Sequence, residues 1–405
     1  MTSTTRVLFA VCALVAGMFL VGCGKGGCPT TSLTSSGGSG GGSVNTGGTV
    51  CGSGVNGGGP VAAYAFTLGA GVQTNNYSTN GTFTTVTSVT PPALAGGVID
   101  DMTTVNSKYV YLPFGDLPGV QALALDHSTG ALTNITGSPF LLTPTGATAD
   151  TAVADPMGRF LFVGAEGTGS ITSFQINSDG SLTQSPFSPF TDAFRLFSAD
   201  SLAVDGKGRF LYAGQLNFAT PMDGFTFDSS GTLTEMVGAP FNLGVAQLHA
   251  DSSGNFLLGV QAVQDSNSSG TGTDQHIYVF SIDQTTGVPT PVAGSPFATV
   301  SAPFDFAISP NGKFVYITGN VPGTTTIAAI EGYQLDSTTG NLTALPGSPF
   351  TTLPAATQCK FEQSGGEMFC ATASGLTVIL ANPSTGALSM GPSLVVSDYP
   401  FAVTD

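Results

Sequence analysis

Few side chains in this 405-residue chain are available for chemistry: nine Lys and Arg, 25 Asp and Glu and three His, for a formal charge of −16. Arg195 sits in Thr191-Asp-Ala-Phe-Arg-Leu-Phe-Ser198. It is the only arginine after the first 22 residues outside the Gly-Arg pairs that end in Arg159 and Arg209. Asp150 and Asp200 each lie five residues before a further aspartate, Asp155 and Asp205, and His249 lies two before Asp251. Arginine and histidine beside carboxylates suit hydrolysis of a carboxylic ester. The guanidinium binds a carboxylate or stabilises the developing oxyanion, and His or Asp activates water. Arg195, His249, Asp150 and Asp200 are therefore the candidate catalytic set, with Asp100, Asp305, Gln358 and His276 as candidate ligand-binding residues. Asp150, Asp200 and Asp305 offer oxygen to Ca²⁺, but they are spread along the chain rather than gathered in a ligand loop. No other cofactor or metal is expected, because no His or Cys stands at metal-ligand spacing from Cys359 and Cys370. No basic run exists, which excludes a nucleic-acid partner.

Repeated turns must position these residues. Asp336-Ser-Thr-Thr-Gly340-Asn-Leu342 has relatives ending in Gly130, Gly180, Gly231, Gly287 and Gly386, and a degraded copy at Gly81. Successive glycines are 49, 50, 51, 56, 53 and 46 residues apart, the mark of a repeat architecture. Asp or Asn caps its own backbone two residues on, and Gly takes the positive φ that reverses the chain. Each unit reads as four strands. In one copy these are Asp200–Asp205, a turn at Gly206-Lys-Gly-Arg209, a strand from Phe210, a third at Gly224–Asp228 and a fourth from Thr232. Most units close on a Ser-Pro-Phe such as Ser348-Pro-Phe350. Alternating apolar residues bounded by Gly, Pro, Asp and Ser are strand signals, and no segment sustains a helical period. The fold class is all-β. Four strands per ~50 residues predict a seven-bladed β-propeller over residues 60–405. The first repeat lacks its first strand, and Pro400–Asp405 reads as an orphan first strand that closes the ring.

The unit Asp205-Gly-Lys-Gly-Arg-Phe-Leu-Tyr212, with Asp228-Ser-Ser-Gly-Thr-Leu-Thr234 and Ala239-Pro-Phe241, resembles the lactonase-family propellers, which include 6-phosphogluconolactonase-like and YVTN-repeat proteins. The resemblance covers residues 61–405 and rests on turn and core residues. It implies a site at the mouth of a channel lined by the first strand of each blade, and a sugar-lactone hydrolase as one function. The family's channel histidine aligns with Ala246, three residues before His249, and of its several channel arginines only Arg195 remains. A phosphorylated lactone would want more cations than this acidic chain offers.

Residues 1–22 carry Arg6 and an apolar run from Val7 to Leu20, of signal-peptide length. The run ends in Leu20-Val-Gly-Cys23, which resembles a lipobox, so Cys23 is the expected lipidation site and a lipid bilayer an expected partner. Residues 23–59 form a Gly/Ser/Thr-rich tether of roughly 30–35 Å end to end. This places the chain on the bacterial cell envelope, with outer-membrane or surface display favoured by Gly24. In an oxidising compartment Cys28 and Cys51 are one plausible disulfide, and Cys359 and Cys370, flanking a turn, are another. A binding or interaction module for an envelope protein or a carbohydrate is the leading functional expectation. The lactone hydrolase and an adhesion subunit are the others.

Overall fold

A computed structural model describes residues 61–67, 71–77, 83–89, 101–114, 118–126, 129–143, 148–166, 168–191, 201–215, 222–261, 274–394 and 401–404. The expected leader, tether, Cys23 and Cys28–Cys51 pair lie outside the described residues, as do Asp100, Arg195 and Asp200.

The described residues form an all-β propeller of four-stranded antiparallel blades. Six blades are described with their side chains, at 103–141, 148–191, 201–235, 247–298, 302–344 and 356–394, and are lettered A to F. In each, the strands lie side by side in chain order, the first innermost. The expectation of seven is thus met by six such blades. A further sheet is described in its backbone alone, where Phe401–Thr404 pairs antiparallel with Val61–Thr67 and the next two strands follow outward. Pairing across the two ends of the domain removes the open edge that a linear array of sheets would leave. The innermost strands of A to F adjoin in sequence, and Phe401–Thr404 contacts the innermost strands of both F and A.

Two turns build each blade. The first hairpin is capped from its own start: Asp155 Oδ1 accepts the backbone N–H of Arg159 at 2.5 Å and of Phe160 at 2.8 Å. Asp205 and Asp251 repeat this, Ser309 Oγ accepts from Phe314, and Glu362 accepts from Gly366 and Glu367. The second turn is the Asp-x-x-x-Gly repeat, and it does more than reverse the chain. At Gly287 φ is +77°, and a Cβ there would stand 2.5 Å from Met236 Cε and 2.6 Å from Phe210 Cδ1 of the preceding blade. The glycine is required both by conformation and by the close approach of the neighbour. Tyr212 donates its hydroxyl to the Gly287 carbonyl at 2.6 Å, and Tyr111 and Tyr316 make the same bond to Gly180 and Gly386.

The core sits between blades, not within them. Apolar clusters join A to B through Tyr111 and Leu161, and B to C through Phe162 and Leu211. Others join C to D through Tyr212 and Leu257, D to E through Phe256 and Ile317, and E to F through Tyr316 and Met368. Sheets that bury both faces against neighbours give near-continuous apolar second strands such as Phe210–Gly214, buried at every residue. Cys359 and Cys370 face each other on paired strands of blade F, Cα to Cα 4.1 Å, and are joined as a disulfide.

Candidate functional site

The innermost strands carry the candidates, and the first-turn caps set a common register for them. Two residues before each cap stand Val153, Ala203, His249, Ala307 and Lys360. Thr103 is their counterpart in blade A, whose first hairpin is one residue shorter and pairs Val105 with Tyr109. His249 and Lys360 therefore share one rung of the channel wall with small or uncharged residues. Of the six described Lys and Arg residues, five lie in first turns, which leaves Lys360 as the described channel cation.

Two rungs away the strands are bulged. In blades B, E and F the pairing skips Asp150, Phe304 and Thr357. A bulge bends the strand and re-aims the side chains around it. Thr357 is thus the counterpart of Asp150, and Gln358 stands level with Asp305, one rung on. The capping carboxylate in blade F is Glu362, where blades B to E have Asp or Ser. The Thr318 hydroxyl bridges the carbonyls of Asp305 and Thr357 at 3.1 and 3.0 Å, which ties the bulges of E and F together.

His249 reaches across the blade boundary. Its Nε2 lies 3.3 Å from Asp305 Oδ1, and its ring meets the Phe306 ring edge-on at 4.8 Å between centroids. Asp305 also accepts the Phe306 N–H at 2.8 Å and is only 10% exposed, whereas the imidazole is 43% exposed. Asp305 Oδ1 can accept a proton carried on Nε2, a nitrogen that Gln247 Nε2 also approaches at 3.5 Å. Asp150 is buried on the innermost strand of B. It is not brought to His249 by any described contact.

A second pair was not foreseen. Lys360 Nζ extends from blade F past the C-terminal strand to blade A, 3.3 Å from the Met102 carbonyl and 3.9 Å from Asp101 Oδ1. Asp101 Oδ1 accepts the Met102 N–H at 2.7 Å, and its Oδ2 accepts the Ala152 N–H and the Thr151 hydroxyl, both at 3.2 Å. The carboxylate is thus a clamp between A and B that also faces the ammonium. The signal that could have found Lys360 is its register with His249, two residues before a capping carboxylate.

His276 belongs to another region. It begins the third strand of blade D, at the end of the blade where the second strand gives way to the third. Its Nδ1 is 2.7 Å from Asp274 Oδ1. Tyr278 donates to Asp274 Oδ2 at 3.3 Å and accepts from Gln261 Nε2 at 3.3 Å. Burial, reinforced by the Asp274 charge and hydrogen bond, pushes the Tyr278 hydroxyl up to about 12. His127 lies outside the described residues.

Among the described residues no three His, Cys, Asp or Glu side chains gather closely enough to hold a metal ion. No helix of the described residues is long and apolar enough to cross a membrane.

No family model matches this chain, and no curated protein does. Its fold is similar to solved structures. A candidate 6-phosphogluconolactonase from Bacteroides uniformis superposes with a TM-score of 0.66 at 16% identity, covering 85% of this chain and 99% of that one. A second, from Bacteroides fragilis, gives 0.62 at 18% identity, covering 86% and 98%. The periplasmic gluconolactonase of Pseudomonas aeruginosa gives 0.62 at 13% identity, covering 85% and 98%. At these identities the likeness is one of fold: a lactonase-like propeller.

Proposed function

We propose that this chain is a seven-bladed propeller, with the sheet formed by its two ends as the seventh blade, and that its channel binds and opens a neutral sugar lactone. The carrying observation is the His249–Asp305 pair, 3.3 Å apart on adjacent innermost strands with the imidazole open to solvent. In the reaction, His249 Nδ1 takes a proton from water as the water oxygen bonds to the lactone carbonyl carbon. Asp305 stabilises the imidazolium that results. The tetrahedral intermediate then expels the ring oxygen, which takes the proton back from His249 and leaves as an alcohol, giving an open-chain hydroxy acid. Arg195, from the connection that precedes blade C, is proposed to face the developing oxyanion, and Asp200 to belong to the same wall.

The lactone is neutral because the described innermost strands carry Asp150 and Asp305 against Lys360 and His249 alone, with Asp101 two residues before the first of them. A phosphate dianion would meet a net negative wall. The chain is proposed to work on the envelope, held through acylated Cys23 and lifted by the 23–59 tether. That placement rests on Leu20-Val-Gly-Cys23 and the tether's composition.

Binding without turnover is the second reading. The length of the His249–Asp305 contact favours it, since Asp305 Oδ1 is already engaged by the Phe306 N–H. Hydrolysis of a panel of aldonolactones, phosphorylated and not, decides between them. The expected result is turnover of unphosphorylated lactones that is lost in His249→Gln. Saturable binding of the same lactones with no turnover would establish the second reading, and neither would overturn both.

A further inference from the structure

We infer that Gln247 and Gln358, with Asp305 between them, form a hydroxyl-recognition arc of the channel, which selects a polyhydroxylated ring over a bare lactone. The inference rests on the channel reading and adds to it the residues that determine specificity. Three observations carry it. First, the three residues occupy one rung of three consecutive blades. Each stands four residues before its blade's capping residue, and the strand pairings agree: Gln247 lies opposite Val260, Asp305 opposite Thr318 and Gln358 opposite Ala371. Second, contacts across both blade boundaries hold the strands together at this level. His249 Nε2 reaches from blade D to within 3.3 Å of Asp305 Oδ1. The Thr318 hydroxyl of blade E bonds the carbonyl of Thr357, the residue before Gln358, at 3.0 Å. Third, the amides of this arc are uncommitted. Both glutamines are half-buried. Among the described residues no hydrogen bond engages the Gln358 amide. The Gln247 amide has one described side-chain contact, the 3.5 Å approach to His249 Nε2, outside the ordinary hydrogen-bond range. The same rung is spent on structure in blades B and C, where Thr151 and Ser201 are buried. Thr151 donates to Asp101 Oδ2 at 3.2 Å, and Ser201 Oγ accepts the Leu248 N–H at 3.0 Å.

A carboxamide offers two N–H donors and a carbonyl acceptor, the complement of a hydroxyl, and carries no charge that would select an acid. Two amides flanking a carboxylate therefore suit a ring with hydroxyls on neighbouring carbons. A lactone without hydroxyls would leave these groups unpaired as it displaced their water, which is how such a site rejects it.

The test compares turnover of δ-gluconolactone with that of δ-valerolactone, the same ring without hydroxyls. In parallel the full chain is titrated calorimetrically with 1-deoxyglucose, a ring polyol that has no carbonyl to attack. The wild-type protein should prefer the hydroxylated lactone and bind the deoxy sugar. Gln358→Leu should lower both the ratio of the two kcat/KM values and the deoxy-sugar affinity about five- to tenfold, the value of one neutral hydrogen bond. Gln247→Leu should do the same. Gln358→Ala should match Gln358→Leu, and unchanged melting of either verifies that the fold is intact. If the lactones are hydrolysed but neither the ratio nor the affinity responds to these variants, this inference is overturned while the hydrolase reading stands. If the deoxy sugar binds through the glutamines and neither lactone is turned over, the inference stands and the hydrolase reading goes. Absence of both turnover and binding would overturn both.

Discussion

The two described histidines each stand beside an aspartate, yet they present opposite nitrogens and depend on different parts of the fold. His276 is paired at Nδ1 with Asp274, two residues away on the same segment, at 2.7 Å. His249 is paired at Nε2 with Asp305, 56 residues away on the next blade, at 3.3 Å. The local pair is a property of its own strand start. The channel pair exists only because two blades are packed and bulged in register. Proximity of His to Asp is therefore weak evidence of a working site; the two rings are equally exposed, and the channel pair is distinguished by shared register and by a carboxylate 10% exposed against 23% for Asp274.

The largest effect should come from breaking the two pairs separately. His249→Gln is expected to lower kcat/KM for lactone opening by about 10²- to 10⁴-fold, the scale of a positioned acid–base group. His276→Gln is expected to leave it within about threefold, since that imidazole touches no channel strand in the described contacts. Equal losses in both would erase the distinction drawn between them. Asp305→Asn comes next, with a loss of about 10- to 100-fold, the usual cost of removing the partner that orients an imidazole.

Packing can be tested without touching either histidine. Gly340 sits at the D–E boundary that the His249–Asp305 pair spans. A Cβ there would lie 2.7 Å from Phe256 Cε1 and 2.9 Å from Val292 Cγ1, at φ +74°. Gly340→Ala should cost about 2–4 kcal/mol, the sum of left-handed strain and overpacking. Gly323 is the control. It has φ +76° with no atom within 4 Å of a built Cβ, so Gly323→Ala should cost only the conformational part, about 1 kcal/mol. Chemical denaturation gives both values. In Gly340→Ala the His249 imidazole resonances should shift while those of His276 stay, which separates the boundary-dependent pair from the local one.

Much of this was legible in the chain, for reasons that residues make plain. The Asp-x-x-x-Gly turns announce the repeat because their glycines answer to two constraints at once, positive φ and the aromatic of the preceding blade, as Gly287 against Phe210 shows. Cys359 and Cys370 were readable because they flank a turn symmetrically. His249 and Asp305 were readable as channel residues, but not as partners, because blade-to-blade contact has no sequence periodicity. Lys360 was missed altogether: its chemistry depends on reaching Asp101 and Met102, more than 250 residues away.

The smallest effect belongs to the exposed turns, and it sharpens the local side of the comparison. Asp336 Oδ1 accepts the backbone N–H of Thr339 at 2.7 Å and of Thr338 at 3.0 Å, and the Thr339 hydroxyl at 2.9 Å. The Thr339 backbone bond, then those from Thr338 and the Thr339 hydroxyl, lower its carboxyl pKa from 3.8. Asp179, Asp228 and Asp283 are lowered in the same way by their own turns. A carboxyl depressed in the folded state contributes stability above its unfolded pKa, and that contribution is lost as pH falls through the folded value. Asn can cap the same turn, as Asn382 does through Ser384 and Thr385. Asp336→Asn should therefore remove the charge but keep the cap, lowering the melting temperature by about 1 °C at neutral pH. The difference from wild type should shrink as pH drops below the ordinary carboxylate range and vanish at its acid end. A difference that persisted undiminished into strong acid would mean that the cap's geometry, not its charge, carries the turn.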